Sequence, residues 1–209
     1  PLCLSSLFVY VSVLQLVLHV LVVAQRQLGI NDSNHLVCTA AAHHHHDKMA
    51  HVMFGGLTHE PAVKLAAKLV ELSPTNLEHV FFSDSGSVSV EVAMKMAIQY
   101  WMANGKVSKH RFLSLRNAYH GDTFAAMSVT DPVNGMHHFF SHVLTPQIFA
   151  PQPKSKFHDT FQAHDTDAIT QLLEQHHDEL AAVILEPIAQ NAGGMHFYHP
   201  EYLTRVRQP

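Results

Sequence analysis

Cysteine is scarce in this 209-residue chain, which has only Cys3 and Cys38. Two such residues build no disulfide framework and show no metal-ligand spacing. Histidine is plentiful at 20 residues, but they are scattered or lie in short runs such as His43 to His46. Neither an HExxH pattern nor a cysteine–histidine zinc pattern occurs, so no metal site is expected. The four-histidine run reads as a solvated helix face. Basic residues are also few, 13 against 17 acidic for a formal net charge of -4. They do not cluster, which argues against nucleic acid as a partner.

Charge is missing altogether from positions 1 to 25, and Leu7 to Ala24 (LFVYVSVLQLVLHVLVVA) is nearly continuous apolar sequence. That length stands at the lower edge of a membrane span. The positive start of a secretory signal is lacking, and the chain does not begin with methionine. Three readings compete: a membrane anchor, a buried strand-rich segment, or sequence foreign to the folded protein.

From Asp47 onward the pattern is that of an α/β domain, and there is ample chain for a core. Glu60 to Leu72 has helix spacing through Val63, Ala66, Ala67 and Val70, with Pro74 beyond its end. His79 to Ser83 (HVFFS) is short, β-branched and aromatic, and predicts a buried strand. A helix is expected from Ser87, where Val88, Val92, Met96 and Tyr100 recur every four residues, as do Ala93, Ala97 and Trp101. Glu91 and Lys95 face away in the favourable order for a helix pair. Met96 and Trp101 read as helix core. Arg111 to Leu115 (RFLSL) predicts a second strand, and Asp131 to Pro153 a long, partly ordered loop. Asp165 to Leu180 predicts a helix, followed by a third strand at Ala181 to Leu185 (AAVIL). Alternating strands and helices imply a mostly parallel sheet with its ligand site at the strands' C-terminal ends. DSGS (84–87), NAYHGD (117–122) and EPIAQ (186–190) all fall at such ends.

Of these, DSGS is the most pointed. Ser85, Gly86 and Ser87 form a strand-to-helix turn whose hydroxyls cap the first helical turn. Free N–H groups and the positive end of the helix dipole make such a turn an anion site, where Gly86 lets a phosphate approach the backbone. Taken alone, ordinary helix capping explains the turn more economically. Three polar clusters on one sheet edge shift the balance toward a real site.

Four stretches carry a resemblance: HVMFGGLTH (51–59), DSGSVSVEVAMKMAIQYW (84–101), RNAYHGDTFAAMSV (116–129) and EPIAQNAGGMHFYHPEYL (186–203). Together they resemble the class III aminotransferases of the fold type I PLP enzymes. Within that class they are most similar to the adenosylmethionine–8-amino-7-oxononanoate aminotransferases of biotin synthesis. A small-residue turn before a helix is common to the whole superfamily; HVMFGG combined with VEVAMKMA and YHGDT is far more specific. The similarity runs over about residues 47 to 209, so the expected organisation is an atypical apolar head, 1–46, and a partial PLP-binding large domain, 47–209.

The resemblance implies site roles. Gly86 and Ser87 match donors of the cup that holds the phosphate of pyridoxal 5'-phosphate (PLP). Tyr119 matches the aromatic residue against the pyridine ring that also borders the substrate pocket. Glu186 matches a carboxylate near the cofactor, and a buried structural acid fits it equally. Asn191 stands where the family has glycine. The family's Schiff-base lysine and pyridinium-binding acid are expected beyond Pro209. Lysines 48, 64, 68, 95, 106, 109, 154 and 156 match other positions, so none is assigned a catalytic role. The family's N-terminal tryptophan pair is not recognisable before Asp47, and the composition shift there favours a reading-frame slip or fusion over a membrane anchor. S-adenosylmethionine and 8-amino-7-oxononanoate are the implied substrates of the parent protein, a cytoplasmic homodimer. Two alternatives stay open: another class III enzyme acting on an ω-amino acid, and a membrane-anchored, non-catalytic phosphate-binding fragment.

Overall fold

A computed structural model describes residues 36–49, 51–134 and 136–208, which fall into two compact units, 36–82 and 83–208. The apolar stretch Leu7 to Ala24 lies outside the described residues. Among the described residues no helix is long and apolar enough to cross a membrane.

Among the described residues the first unit holds two helices. Helix α1, Leu36–Lys48, carries the four-histidine run and has no buried residue. Helix α2, Glu60–Leu72, has the bounds its spacing predicts. Its first turn is capped by the His59 imidazole, which accepts from the Ala62 N–H, and its end by Ser73, whose hydroxyl donates to the Leu69 carbonyl. Residues 79–83 carry no strand, contrary to expectation. The run has the β-branched and aromatic composition of a strand, but a strand also needs a neighbour to pair its backbone groups.

In the second unit, helix α3, Gly86–Ala103, precedes β1, Arg111–Leu115. Then come α4, Phe124–Ser128, and β2, Ile148–Ala150. Helix α5, Asp167–His176, leads into β3, Leu180–Val183. A hairpin of β4, Ala189–Gln190, and β5, His196–Phe197, is followed by α6, Glu201–Arg207. Strands β1, β2 and β3 make a parallel sheet in the order β2-β1-β3, Leu113 lying opposite Ile148 on one side and Val183 on the other. As the middle strand, β1 is covered on both faces, which suits the burial of Phe112 through Leu115. Leu113 and Leu115 pack with Ile169, Tyr198, Tyr202 and Val206 on one side. Phe112 packs with Val90, Met94, Ala97 and Trp101 of α3 on the other.

Several expectations are corrected here. Strand β2 lies inside the segment read as loop; it is three residues long and its neighbours include two prolines, too little for a periodic signal. The buried stripe of α3 is Val90, Met94, Ala97 and Trp101, so Trp101 is core as expected, its indole donating to the Ala181 carbonyl at 2.7 Å. Met96 instead lies on the exposed face. Glu91 turns toward α4, where it accepts from the Ala125 N–H at 3.1 Å. The helix read over 165–180 is shorter, because a tight 3-10 turn, Ala163–Thr166, replaces its start and the chain unwinds after His176.

Candidate functional site

The first component is the N-terminus of α3. Ser85 is its cap, the hydroxyl accepting from the Val88 N–H at 3.2 Å, and the Ser89 N–H bonds to the Ser85 carbonyl at 3.0 Å. Gly86 and Ser87, first and second in the helix, precede any intrahelical acceptor for their N–H groups. These N–H groups, at the positive end of an 18-residue helix, form an anion cradle.

The second component is the turn after β1. The Ser87 hydroxyl accepts from the Asp122 N–H at 3.0 Å. Its own proton stays available for an acceptor. Gly121, at φ 128°, makes this approach feasible: a Cβ there would fall 2.4 Å from Ser87 Oγ and 2.9 Å from Ser87 Cα. Tyr119 donates its phenol proton to Asp122 at 2.8 Å. Burial first, and then that bond, raise the phenol's pKa to about 12. The Tyr119 ring stacks against His137 (centroids 6.2 Å apart) and stays 39% exposed, so one aromatic surface is open to a ligand. Behind it His120 is buried against Ser114 Oγ, and desolvation lowers its pKa to about 4.

The third component is the turn after β3. Glu186 is buried, and its carboxylate accepts from the Tyr119 N–H at 3.1 Å and the Asn191 N–H at 3.2 Å. Burial pushes its pKa up to about 7, against the pull of those two donors. Asn191 is not among the left-handed residues of the chain; Ile188, Gly194 and Met195 are. The turn thus accepts asparagine without strain at that position. An amide network binds the same edge: Gln190, fully buried, accepts from Gln152 at 2.8 Å and donates to the Arg116 carbonyl at 2.9 Å. Asp131 accepts from the N–H groups of Asn117, Val133 and Asn134. Burial opposes ionisation there, but those donors and Arg116 hold its pKa below the ordinary carboxylate value.

The four residues singled out from sequence therefore form a connected set. Ser87 reaches Tyr119 through Asp122, Tyr119 reaches Glu186 through its main chain, and Gly86 adjoins Ser87. Beside them opens a groove of about 670 Å³ lined by Glu91, Asp122, Thr123, Phe124, Val143 and Thr145. Sequence reasoning gave no role to Asp122, His137 or Gln190. For Asp122 the signal was present, an acid directly after glycine in RNAYHGDT (116–123). Gln190 pairs with residues 38 and 74 positions away, which no local pattern reveals.

The family model for aminotransferase class-III matches residues 29–208. The chain is 50% identical over 178 residues to the adenosylmethionine-8-amino-7-oxononanoate aminotransferase of Buchnera aphidicola subsp. Baizongia pistaciae, covering 85% of this chain and 41% of that protein. The structure of the enzyme of that name from Methanocaldococcus jannaschii aligns with a TM-score of 0.75 at 32% identity, covering 83% of this chain and 38% of that one. An amine transaminase from an uncultivated Pseudomonas species, in its PLP-bound form, gives 0.69 at 33% identity, over 84% and 41%. The chain spans about two fifths of the length of the curated relatives it matches.

Proposed function

The chain belongs to the aminotransferase class-III family, and from that premise we propose that the protein carrying it moves an amino group from S-adenosylmethionine to 8-amino-7-oxononanoate through PLP, giving 7,8-diaminononanoate. Its helices and parallel sheet are those of the fold type I PLP enzymes. The observation that carries the reading of the activity is the 50% identity to a protein named for that reaction. The site fits the cofactor: a helix N-terminus and a free hydroxyl proton suit a phosphate, and an exposed phenol ring suits a flat heterocycle.

In this reading Gly86 and Ser87 donate N–H groups, and Ser87 its O–H, to the phosphate. Tyr119 would lie against the pyridine ring and border the substrate, with Asp122 fixing the direction of its phenol. Glu186 stands behind Tyr119 in the cofactor's surroundings. When bound, PLP supplies the carbonyl that takes up the amino group and a ring that delocalises the electron pair released at the substrate carbon. The lysine and the acid that this chemistry needs are proposed to lie in the part of the relatives' length that this chain does not span. The active form is a cytoplasmic homodimer, with no membrane partner.

The test is to assay the full-length protein with PLP and 8-amino-7-oxononanoate against a panel of amino donors. Product formed with S-adenosylmethionine is the expected result. Product formed only with ω-amino acids or simple amines would favour the second reading, another class III enzyme, which the 33% identity to an amine transaminase supports.

A further inference from the structure

Glu186 is 5% exposed, and the influences on its carboxyl are burial and two backbone donors. The donors come from different turns: Tyr119 belongs to the turn after β1, Asn191 to the turn of the β4–β5 hairpin. The chain brings Asn191 back to Glu186 through a tight reversal. Ile188 has φ 70° and the Ala189 N–H bonds to the Pro187 carbonyl at 2.8 Å, a three-residue γ-turn. A β-branched residue in that region is strained, and such strain persists only where surrounding contacts enforce it. One enforcing contact is Tyr198, whose phenol donates to the Glu186 carbonyl at 2.5 Å. The two turns also meet at Gly193, where an added Cβ would fall 2.1 Å from the Asn117 carbonyl oxygen.

We infer that Glu186 is a positioning residue: its carboxylate bridges the Tyr119 and Asn191 N–H groups and so fixes the Tyr119 ring without touching cofactor or substrate. The inference rests on the proposed function in taking Tyr119 as the residue against the cofactor ring. A carboxylate is the side chain for this task because both oxygens accept and neither donates. Protonation turns one oxygen into a donor facing an N–H group, and one arm is lost. Glutamine keeps the volume but offers one acceptor, its NH₂ opposing the second donor. Facing the carboxyl are the two N–H groups and Tyr198, whose ionisation the Glu186 charge opposes.

The experiment uses the full-length protein, deuterated, 15N-labelled and free of cofactor, with the Tyr119 and Asn191 amide resonances followed from about pH 5 to about pH 9. Both should move together with one midpoint at about 7. Glu186→Gln should abolish the shared movement, and Glu186→Asp, too short to span both donors, should abolish it as well. Separate midpoints, or a shared one that survives Glu186→Gln, would overturn the bridge. In turnover, Glu186→Gln should lose about tenfold in kcat/KM, the size of one hydrogen bond to a charged group, while PLP affinity changes by less than about twofold. An equal loss in PLP affinity would make Glu186 a cofactor contact and overturn the positioning role. Absence of amino transfer in the unaltered protein would overturn the proposed activity, and the amide titration would still decide the bridge.

Discussion

Gly121→Ala tests the link between the phosphate cup and the turn after β1. The added methyl would stand 2.4 Å from Ser87 Oγ and 2.9 Å from both Ser87 Cα and Cβ. Ordinary contacts begin near 3.5 Å, so Ser87 must retreat by about 1 Å. The obstruction includes backbone of the first turn of α3, which cannot rotate away as a side chain tip would. Alanine must also hold φ 128°, a region that costs about 1 to 3 kcal/mol for a residue with a Cβ. Loss of the Asp122 N–H to Ser87 hydrogen bond adds about 1 kcal/mol. The sum is about 2 to 4 kcal/mol of stability, together with a weaker grip on the cofactor phosphate.

Gly105→Ala is the control. Gly105 also has positive φ, 72°, but an added Cβ meets nothing within 4 Å, so only the backbone penalty applies. Urea denaturation measures stability, and absorbance titration measures PLP affinity in the full-length protein. Gly121→Ala should lose more than Gly105→Ala by the denaturation midpoint, and it alone should bind PLP less tightly. Equal losses with unchanged PLP affinity would refute the claim that the glycine exists for the approach of Ser87.

Ser87→Ala removes a hydroxyl that accepts from Asp122 and has a proton to give, and should weaken PLP binding by about 1 to 3 kcal/mol in the same titration. Tyr119→Ala should lower turnover more than it lowers the thermal midpoint; the reverse pattern would mark Tyr119 as a packing residue. Stability against pH should show two opposed slopes. Glu186, with its pKa raised from 4.5 to about 7, contributes stability below pH 4.5 that is lost as pH rises to about 7. His120, lowered from 6.5 to about 4, contributes stability above pH 6.5 that is lost as pH falls toward about 4. The two largely cancel between those limits, and Glu186→Gln should uncover a loss of about 3 kcal/mol on acidification, measured by denaturation at several pH values.

Much of the fold was legible because its elements carry their own signals. RFLSL forms β1 over the predicted residues, since a run covered on both faces is apolar on both. Helix α2 begins before a proline and ends before a serine cap, and both bounds are readable. Strand β2 was not readable, because three residues contain no period. The run at 79–83 shows the opposite failure, in which composition suits a strand but pairing is not a local property. The stripe of α3 was misassigned for a related reason: its apolar residues cover most of the helix surface, and the neighbouring Phe112 and Ala181 decide which are buried. At the site, the small-residue turn pointed to Gly86 and Ser87, and the family resemblance pointed to Tyr119 and Glu186. What joins them was hidden, because the partners of Ser87 and Glu186 are backbone N–H groups 35 and 67 residues away.

That division between side-chain acceptors and backbone donors explains which positions the site constrains. Ser87, Asp131 and Glu186 each accept from main-chain N–H groups, so the acceptor must keep its chemistry while the donating residue can be any type but proline. Asn191 shows the consequence. It stands where the resemblance leads to an expectation of glycine, yet it donates its N–H to Glu186 at 3.2 Å, and its exposed side chain needs no special backbone angle. Asn191→Gly keeps the donor and should cost at most about 1 kcal/mol, the extra freedom gained by the unfolded chain. Asn191→Pro removes the N–H, leaves Glu186 with one donor, and should cost about 1 to 3 kcal/mol more than the glycine variant. Denaturation of the two variants side by side measures the difference. Equal stability would mean that the Asn191 arm carries no weight, and that Tyr119 alone holds the buried carboxylate in place.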